Sequence, residues 1–342
     1  MIDRLVIFGG TGDLAGRYLL PAPAALRTAG CIDDDFDLVC VDRKEWDDRR
    51  FGDRARDQLD RHAGETPPEA RQAIVAAARH RRADIRNALD VAQAVHGDAP
   101  VAVYLALAPA LFPAAIQTLR AAKLPAGSRI VLEKPFGEDL ASARELNRLL
   151  ADLLPEQAIF RVDHFLAMTT VQNLPGSRLS NRVLESIWNS AHIAKVEIVW
   201  DETRTLEDPA GYYDGVGALE DMVQKPSPAV AVPGGDGTPR SVSPNVTYPE
   251  SLTLALNAVG TSVDTLAPLT LTARIEPPEL PAYGTLLLNV LRGDPALSLR
   301  ADEAEEAWRV LEPVLSGWAR DLVPLEEYPA GSLGPPGIDR NR

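Results

Sequence analysis

Three residues that can do acid–base chemistry follow two apolar segments in the middle of the sequence. Lys134 comes after the segment 129–132, and Asp163 and His164 follow the segment 158–162. Histidine titrates near neutral pH, and lysine can lose its proton when it is desolvated. Oxidation of an alcohol needs a base near the hydroxyl proton. We therefore predict Lys134 and His164 as candidate bases, with Asp163 orienting or charge-balancing either one.

Each of these residues also has a simpler interpretation, which the sequence leaves open. Lys134 can serve only as a point charge that positions a substrate. His164 can be a core or substrate-contacting histidine, because histidine is often partly buried. Asp163 can be a helix cap, a position that aspartate favours.

A glycine-rich turn near the start of the sequence provides the chemistry for binding a pyrophosphate. The apolar segment 5–8 precedes it, and a segment with helical character, 17–29, follows. Gly10, Gly12 and Ala15 match the dinucleotide-binding fingerprint in its G/A form. In this pattern Gly10 allows a tight turn, Gly12 allows close approach of the backbone, and the helix N-terminus offers N–H groups to anionic oxygens. The predicted cofactor-contacting residues of the turn are Gly9, Gly10, Thr11, Gly12, Asp13 and Leu14.

Two charged residues end the next apolar segment, where a dinucleotide-binding fold contacts the adenosine ribose. Asp42 can accept hydrogen bonds from a free 2′-hydroxyl, which favours NAD, whereas Arg43 can pair with the 2′-phosphate of NADP. Because both residues are present, we expect NAD or NADP as the cofactor and favour NAD or dual use. Lys134 is also expected beside the nicotinamide.

The order of apolar and helical segments predicts how these residues are positioned. Strand and helix signals alternate through residues 1–165, which predicts an α/β fold with a doubly wound parallel Rossmann sheet and ligands at the carboxyl ends of its strands. Residues 166–342 are predicted to form an α+β substrate domain with a reduced antiparallel sheet. Within it, 225–249 is rich in proline and glycine and is predicted to be a linker.

Composition narrows the possible partners and the compartment. The net charge of −14 argues against a nucleic-acid polymer as partner and predicts no attraction to anionic membranes. No apolar segment of about 18 residues is present, and the sequence opens directly on a strand, so we expect neither a membrane span nor a signal peptide. The two cysteines have no metal-ligand or disulfide spacing, so no metal is expected and a cytoplasmic location is the default.

Several motifs, in order and spacing, make the chain similar to the glucose-6-phosphate dehydrogenase family. The segments that carry the resemblance are 9–15 (GGTGDLA), 131–137 (VLEKPFG), 161–165 (RVDHF), 170–174 (TVQNL), 211–214 (GYYD), 217–224 (GALEDMVQ), 287–294 (LLNVLRGD) and 328–332 (YPAGS). The resemblance implies that Lys134, Glu202 and Asp221 contact sugar hydroxyls and that His164 belongs to the substrate site. It leaves a homodimer open.

The chain also departs from the pattern of that family at positions that matter for chemistry. Tyr18 stands where the family has a lysine, and Phe165 and Met168 replace a tyrosine and a lysine that hold the sugar 6-phosphate. Pro226 occupies the position of the histidine that serves as general base. A long stretch of the family is also missing, and 225–249 appears in its place.

The matches and departures together favour one function and leave two others open. We expect an NAD(P)-dependent dehydrogenase that oxidises a secondary hydroxyl of a sugar or a sugar-containing molecule such as a nucleoside or nucleotide, in a specialised pathway such as antibiotic biosynthesis. The Glu-Lys-Pro segment also resembles that of the Gfo/Idh/MocA oxidoreductases, where the lysine lies beside the reacting alcohol. The alternatives are glucose-6-phosphate 1-dehydrogenation with a replaced base, and an inactive dinucleotide-binding sensor.

Overall fold

A computed structural model describes residues 1–193, 195–197, 229–233, 239–245, 251–259, 266–274, 276–320 and 322. The described chain separates into two compact units. The first contains Met1–Ala167 and Glu279–Pro313, and the second begins at Met168. The sequence-based boundary at residue 165 lies close to this division. The segment Glu279–Pro313, however, belongs to the first unit rather than to the second domain in which we predicted it.

A seven-stranded sheet is the centre of the first unit, and its order is β12-β6-β5-β4-β1-β2-β3. All neighbouring strands are parallel except β12, which pairs antiparallel with β6. The predicted α/β fold with a doubly wound parallel sheet is therefore confirmed. The strands are β1 (Arg4–Phe8), β2 (Asp37–Asp42), β3 (Ala78–Arg82), β4 (Ala102–Leu105), β5 (Arg129–Glu133), β6 (Ile159–Val162) and β12 (Ser298–Leu299).

Apolar side chains cover both faces of this sheet, as a strand buried on two sides requires. Ile7 and Cys40 contribute to one core, and Val6 and Val39 contribute to the other, because successive residues of a strand point to opposite faces. Helices pack on both cores. They are α1 (Pro21–Thr28), α2 (Asp48–His62), α3 (Pro68–Ala77), α4 (Ala88–Val95), α5 (Phe112–Ala122), α6 (Leu140–Ala151) and α9 (Ala282–Arg292).

Local structure departs from the sequence-based elements at two places in the first unit. The predicted helix 17–29 is a π-helical turn at Ala15–Leu19 followed by α1, which begins with proline at its first position. The helix α3 ends at Ala77, and the residues directly after it form the edge strand β3, which the sequence did not predict. In β3 only Ala78 and His80 are buried, so its sequence lacks the apolar run by which we identified the other strands.

The second unit contains helices and an antiparallel sheet of order β11-β10-β9-β8-β7. Two strands, β8 and β9, lie inside 225–249, so the prediction of a linker there is wrong for these residues. The alternating Val and Ala residues of β8 pair with both neighbouring strands. This pairing outweighs the low preference for strand structure of the prolines and glycines that flank β8 in the sequence. The elements are α7 (Thr169–Ser180), α8 (Arg182–Ile187), β7 (Lys195–Glu197), β8 (Ala229–Pro233), β9 (Pro239–Asn245), β10 (Ser251–Val259) and β11 (Leu266–Arg274). The last described helix, α10, is Ala301–Trp318, and its residues up to Pro313 belong to the first unit.

Candidate active site

The glycine turn follows β1 directly and is held against the end of β2. The backbone N–H groups of Gly9 and Gly10 both donate to the carbonyl oxygen of Val41, at 2.9 and 3.1 Å. Gly9 has a φ of +85°, the left-handed conformation that glycine adopts readily. Gly9, rather than Gly10 as predicted, therefore makes the tight turn.

Gly10 has a different role, because it lies against the backbone of β2. A β-carbon at Gly10 would be 2.5 Å from the β-carbon of Cys40, closer than two nonbonded carbon atoms can approach. Cys40 is fully buried, and burial raises the pKa of its thiol to about 12, so this cysteine is a packing residue. At Gly12 the nearest atom to an added β-carbon would be the carbonyl oxygen of Gly9, at 3.1 Å.

The chain turns into a helix immediately after these glycines. Ala15 is completely buried in the core on that face of the sheet, as the fingerprint predicts for close packing of helix and strand. Among the described residues, the N–H groups of Asp13 and Leu14 have no backbone acceptor. The Asp13 side chain forms an exposed ion pair with Arg17, at 2.7 Å. A turn of small residues with N–H groups at the start of a helix fits a dinucleotide pyrophosphate.

Asp42 and Arg43 lie at the end of β2, beside the glycine turn. The Thr11 hydroxyl donates to Asp42 Oδ2 at 2.6 Å, and the Lys44 N–H donates to Asp42 Oδ1 at 3.3 Å. Both carboxylate oxygens therefore accept hydrogen bonds from the chain, and Thr11 connects Asp42 to the glycine turn. The Arg43 side chain is exposed next to it.

Lys134 begins the loop after β5 and contacts an aromatic side chain from the loop after β6. Its Nζ lies 5.5 Å from the ring centroid of Phe165, a cation–π distance. The peptide bond between Lys134 and Pro135 is cis. Because β5 and β6 are parallel neighbours, their carboxyl ends bring Lys134 and Phe165 to the same edge of the sheet.

Asp163 and His164 come directly after β6. Asp163 is completely buried, and its Oδ1 accepts a hydrogen bond from the N–H of Phe165 at 3.1 Å. Asp163 therefore caps the short 3₁₀ helix His164–Ala167, which was the simpler of its two interpretations. The His164 ring packs against Phe165, with ring centroids 4.3 Å apart.

A half-buried carboxyl group next to Lys134 was not singled out by the sequence. Glu133, the last residue of β5, accepts a hydrogen bond from the Tyr104 hydroxyl of β4, and the hydroxyl of Tyr283 in α9 is a second hydrogen-bond partner. Burial is the main cause that raises the pKa of Glu133 to about 7, and the charge of Asp163 adds to it. The two tyrosine hydroxyls and Lys134 oppose that rise.

Three rings form a cluster at this edge of the sheet, and each ring contacts the other two. Tyr18 packs on Tyr283 with ring centroids 4.7 Å apart, and Tyr283 packs on His164 at 5.4 Å, with interplanar angles of 20°. Tyr283 is buried, whereas Tyr18 is 43% exposed. The sequence offered one signal for Glu133, since it directly precedes Lys134 at a strand end. It offered none for Tyr283, which lies about 150 residues away in the chain.

Glu202, Asp221 and Pro226 lie outside the described residues. Their assignment to the substrate site or to the position of the lost base therefore stays a prediction. No group of three or more potential metal ligands occurs in the described part of the chain. None of the helices described there has the length and apolar character that crossing a lipid bilayer requires.

Comparison with known protein families gives two matches. Residues 6–173 match the model described as glucose-6-phosphate dehydrogenase, NAD binding domain. Residues 176–226 and 250–341 match the model of the C-terminal domain of the same family. The second match is interrupted between 226 and 250, the part of the chain in which we predicted a replaced segment.

Similarity to individual proteins indicates the same family. The chain is 38% identical to glucose-6-phosphate 1-dehydrogenase of Zymomonas mobilis, over 65% of this chain and 47% of that protein. It therefore spans about half the length of that curated relative. The enzyme of Gluconobacter oxydans is 29% identical, over 96% of this chain and 94% of the relative. The crystal structure of the Mycobacterium avium enzyme has the same fold, with a TM-score of 0.81 at 23% identity, covering 98% of this chain and 95% of that one.

Proposed function

The chain belongs to the glucose-6-phosphate dehydrogenase family, and we propose that it is an NAD(P)-dependent dehydrogenase that oxidises a hydroxyl group of a sugar phosphate. Its first half is the NAD-binding domain of that family. The first substrate to test is glucose 6-phosphate, the substrate named for the relatives. The observation that carries the proposal is the presence of Lys134, Asp163 and His164 at the carboxyl edge of the sheet whose first strand ends in the glycine turn.

Different residues of the chain would bind the cofactor and accept the proton in such a reaction. A bound nicotinamide supplies the hydride acceptor. The glycine turn, with the N–H groups of Asp13 and Leu14, would hold the pyrophosphate, and Asp42 or Arg43 would contact the adenosine ribose. Lys134 and His164 remain the two candidates to accept the hydroxyl proton.

The direct test measures cofactor binding and turnover separately. Purified protein is titrated with NADH and NADPH by fluorescence, and formation of reduced cofactor is then followed by absorbance with glucose 6-phosphate, free sugars and nucleosides. Turnover of glucose 6-phosphate with a Michaelis constant between about 1 µM and 1 mM would support the proposal. Tight binding of dinucleotide without turnover of any compound would instead support an inactive sensor.

Substitution of Lys134 tests its role in proton transfer. If Lys134 accepts the proton, Lys134→Ala lowers kcat by at least about a hundredfold, because general base catalysis contributes that much. The matched variant His164→Gln separates the two candidates, since only the residue that takes the proton shows the larger loss in kcat at saturating substrate. Full activity of Lys134→Ala would remove Lys134 from the mechanism.

A sugar without a phosphate at the usual position is a second candidate substrate, and Phe165 favours it. The Phe165 ring is buried, packs on His164 and lies within cation–π distance of the Lys134 ammonium group. It therefore places a hydrocarbon group, without a hydrogen-bonding atom, beside both candidate bases. A phosphate binds best through charge-assisted hydrogen bonds, which phenylalanine cannot make. On this reading kcat/KM is higher for the unphosphorylated compound, and Phe165→Tyr lowers the KM for glucose 6-phosphate by about tenfold, the value of one hydrogen bond to a charged group.

A further inference from the structure

Glu133 is in an unusual position for a residue with no assigned role. It is the last residue of β5 and directly precedes Lys134, and its carboxyl group is enclosed between β4 and α9 by Tyr104 and Tyr283. The charges of both Lys134 and Asp163 act on it. A buried carboxyl group costs free energy unless hydrogen bonds or opposite charges compensate, so a purely structural position would be served as well by a neutral side chain.

Tyr283 connects this carboxyl group to His164. Its hydroxyl is a hydrogen-bond partner of Glu133, and its ring packs on the imidazole of His164 at a centroid distance of 5.4 Å. The same ring also packs on Tyr18, whose ring centroid lies 6.4 Å from that of His164. Movement of the Tyr283 ring would therefore remove one of the ring contacts of His164, which also contacts Phe165 and Tyr18.

We propose that Glu133 and Tyr283 form a positioning pair, which holds the imidazole of His164 in place and keeps a carboxyl group beside Lys134. The inference rests on the proposed dehydrogenase function, because it gives these two residues a role through the candidate bases of that reaction. Neither residue accepts a proton from the substrate or donates one to it. Their effect is on the geometry of His164 and the electrostatic surroundings of Lys134, where a displacement of about 1 Å can cost about a hundredfold in rate.

Kinetic constants of three variants test the pair. Glu133→Gln keeps the shape and a hydrogen-bonding oxygen but removes the charge, and Tyr283→Phe keeps the ring but removes the hydroxyl. We expect each to lower kcat between about tenfold and a hundredfold, with KM and the dissociation constant for NADH changed less than about threefold. Glu65→Gln is the matched control, because Glu65 is exposed in the same unit, and it is expected to leave all three constants unchanged.

A spectroscopic measurement tests the positioning without any turnover. The chain contains five histidines, so protein labelled with ¹³C-histidine gives five imidazole Cε1–Hε1 signals, and His164→Gln identifies the one from His164. Loss of the stacked ring in Tyr283→Leu, and loss of its anchor in Tyr283→Phe and Glu133→Gln, should shift this signal and leave the other four in place. The variant Tyr104→Phe removes the other hydroxyl from Glu133 and should shift the His164 signal less.

The outcomes separate this inference from the proposed function. A His164 signal that stays unchanged in Glu133→Gln and Tyr283→Phe overturns the pair, whatever the kinetics are. Unchanged kcat in both variants of an active enzyme also overturns it. If the unmodified protein turns over no sugar or sugar phosphate, the proposed function fails, and the His164 signal still decides whether the pair positions the imidazole.

Discussion

The stability of the protein should fall with rising pH because of one half-buried carboxyl group, that of Glu133. Its pKa is about 7 in the folded protein, compared with an ordinary value of 4.5. The folded state therefore holds this proton more tightly than the unfolded chain does. The contribution of the protonated group to the free energy of unfolding is full below about pH 4.5 and is lost as the pH rises through about 7.

The size of the effect follows from these two pKa values. Each unit of pKa difference corresponds to about 1.4 kcal/mol, so integration between about pH 5 and pH 8 gives a loss of about 2.5 kcal/mol for the wild type. In Glu133→Gln this contribution is absent at every pH. The variant should therefore gain about 2.5 kcal/mol relative to the wild type over that interval. For a unit of roughly 200 residues, this corresponds to about 5–10 °C in melting temperature.

Calorimetry of the two proteins at several pH values tests the reasoning. The control is Glu65→Gln, which removes an exposed carboxyl group and should follow the wild type closely. Melting temperatures of wild type and Glu133→Gln that run parallel from about pH 5 to pH 8 would refute it, because the two states would then bind the Glu133 proton equally. A gain of the variant with falling rather than rising pH would reverse the sign and refute it as well.

Three further substitutions test other parts of the structure. Asp42→Asn removes a negative charge beside the expected ribose site, so the ratio of the NAD to the NADP dissociation constant, measured by titration, should rise about tenfold. Gly10→Ala should lower the free energy of unfolding by about 1–3 kcal/mol because of its close contact, whereas Gly64→Ala, where an added β-carbon has open space, should change it by less than about 0.5 kcal/mol. Trp308→Phe removes the buried indole that donates to the carbonyl oxygen of Phe136 at 3.0 Å, and should lower the same free energy by about 1–3 kcal/mol. An unchanged ratio of dissociation constants in Asp42→Asn would contradict the first prediction. Melting curves identical to those of the wild type would contradict the predictions for Gly10→Ala and Trp308→Phe.

Strands buried on both faces were predictable from the sequence. Their positions also identified the residues that lie at the strand ends. The runs that became β1 and β4 are continuous in apolar residues, and such runs have few alternatives to a parallel sheet. Lys134, Asp163 and His164 could therefore be assigned to one edge of the sheet before any contact was known. The edge strand β3 was missed for the complementary reason, because it is half exposed and carries four charged or polar residues out of five.

The segment 225–249 shows how local composition can mislead. Prolines and glycines there predicted a linker, because they disfavour regular structure. Pairing with neighbouring strands supplied the hydrogen bonds that define β8 and β9. Strand formation of this kind depends on partners distant in the chain, which a local pattern does not contain.

The sequence by itself determined the parallel sheet, the glycine turn and the set of titratable residues at the strand ends, because apolar runs and glycine spacing are local properties. Tertiary structure decided that Gly9 makes the turn while Gly10 packs on β2, and that Thr11 binds Asp42. It also decided that Glu133 lies between Tyr104 and Tyr283, with Tyr283 supporting His164. These contacts join residues about 30 to 150 positions apart, and only close packing of the folded chain selects which distant side chains meet.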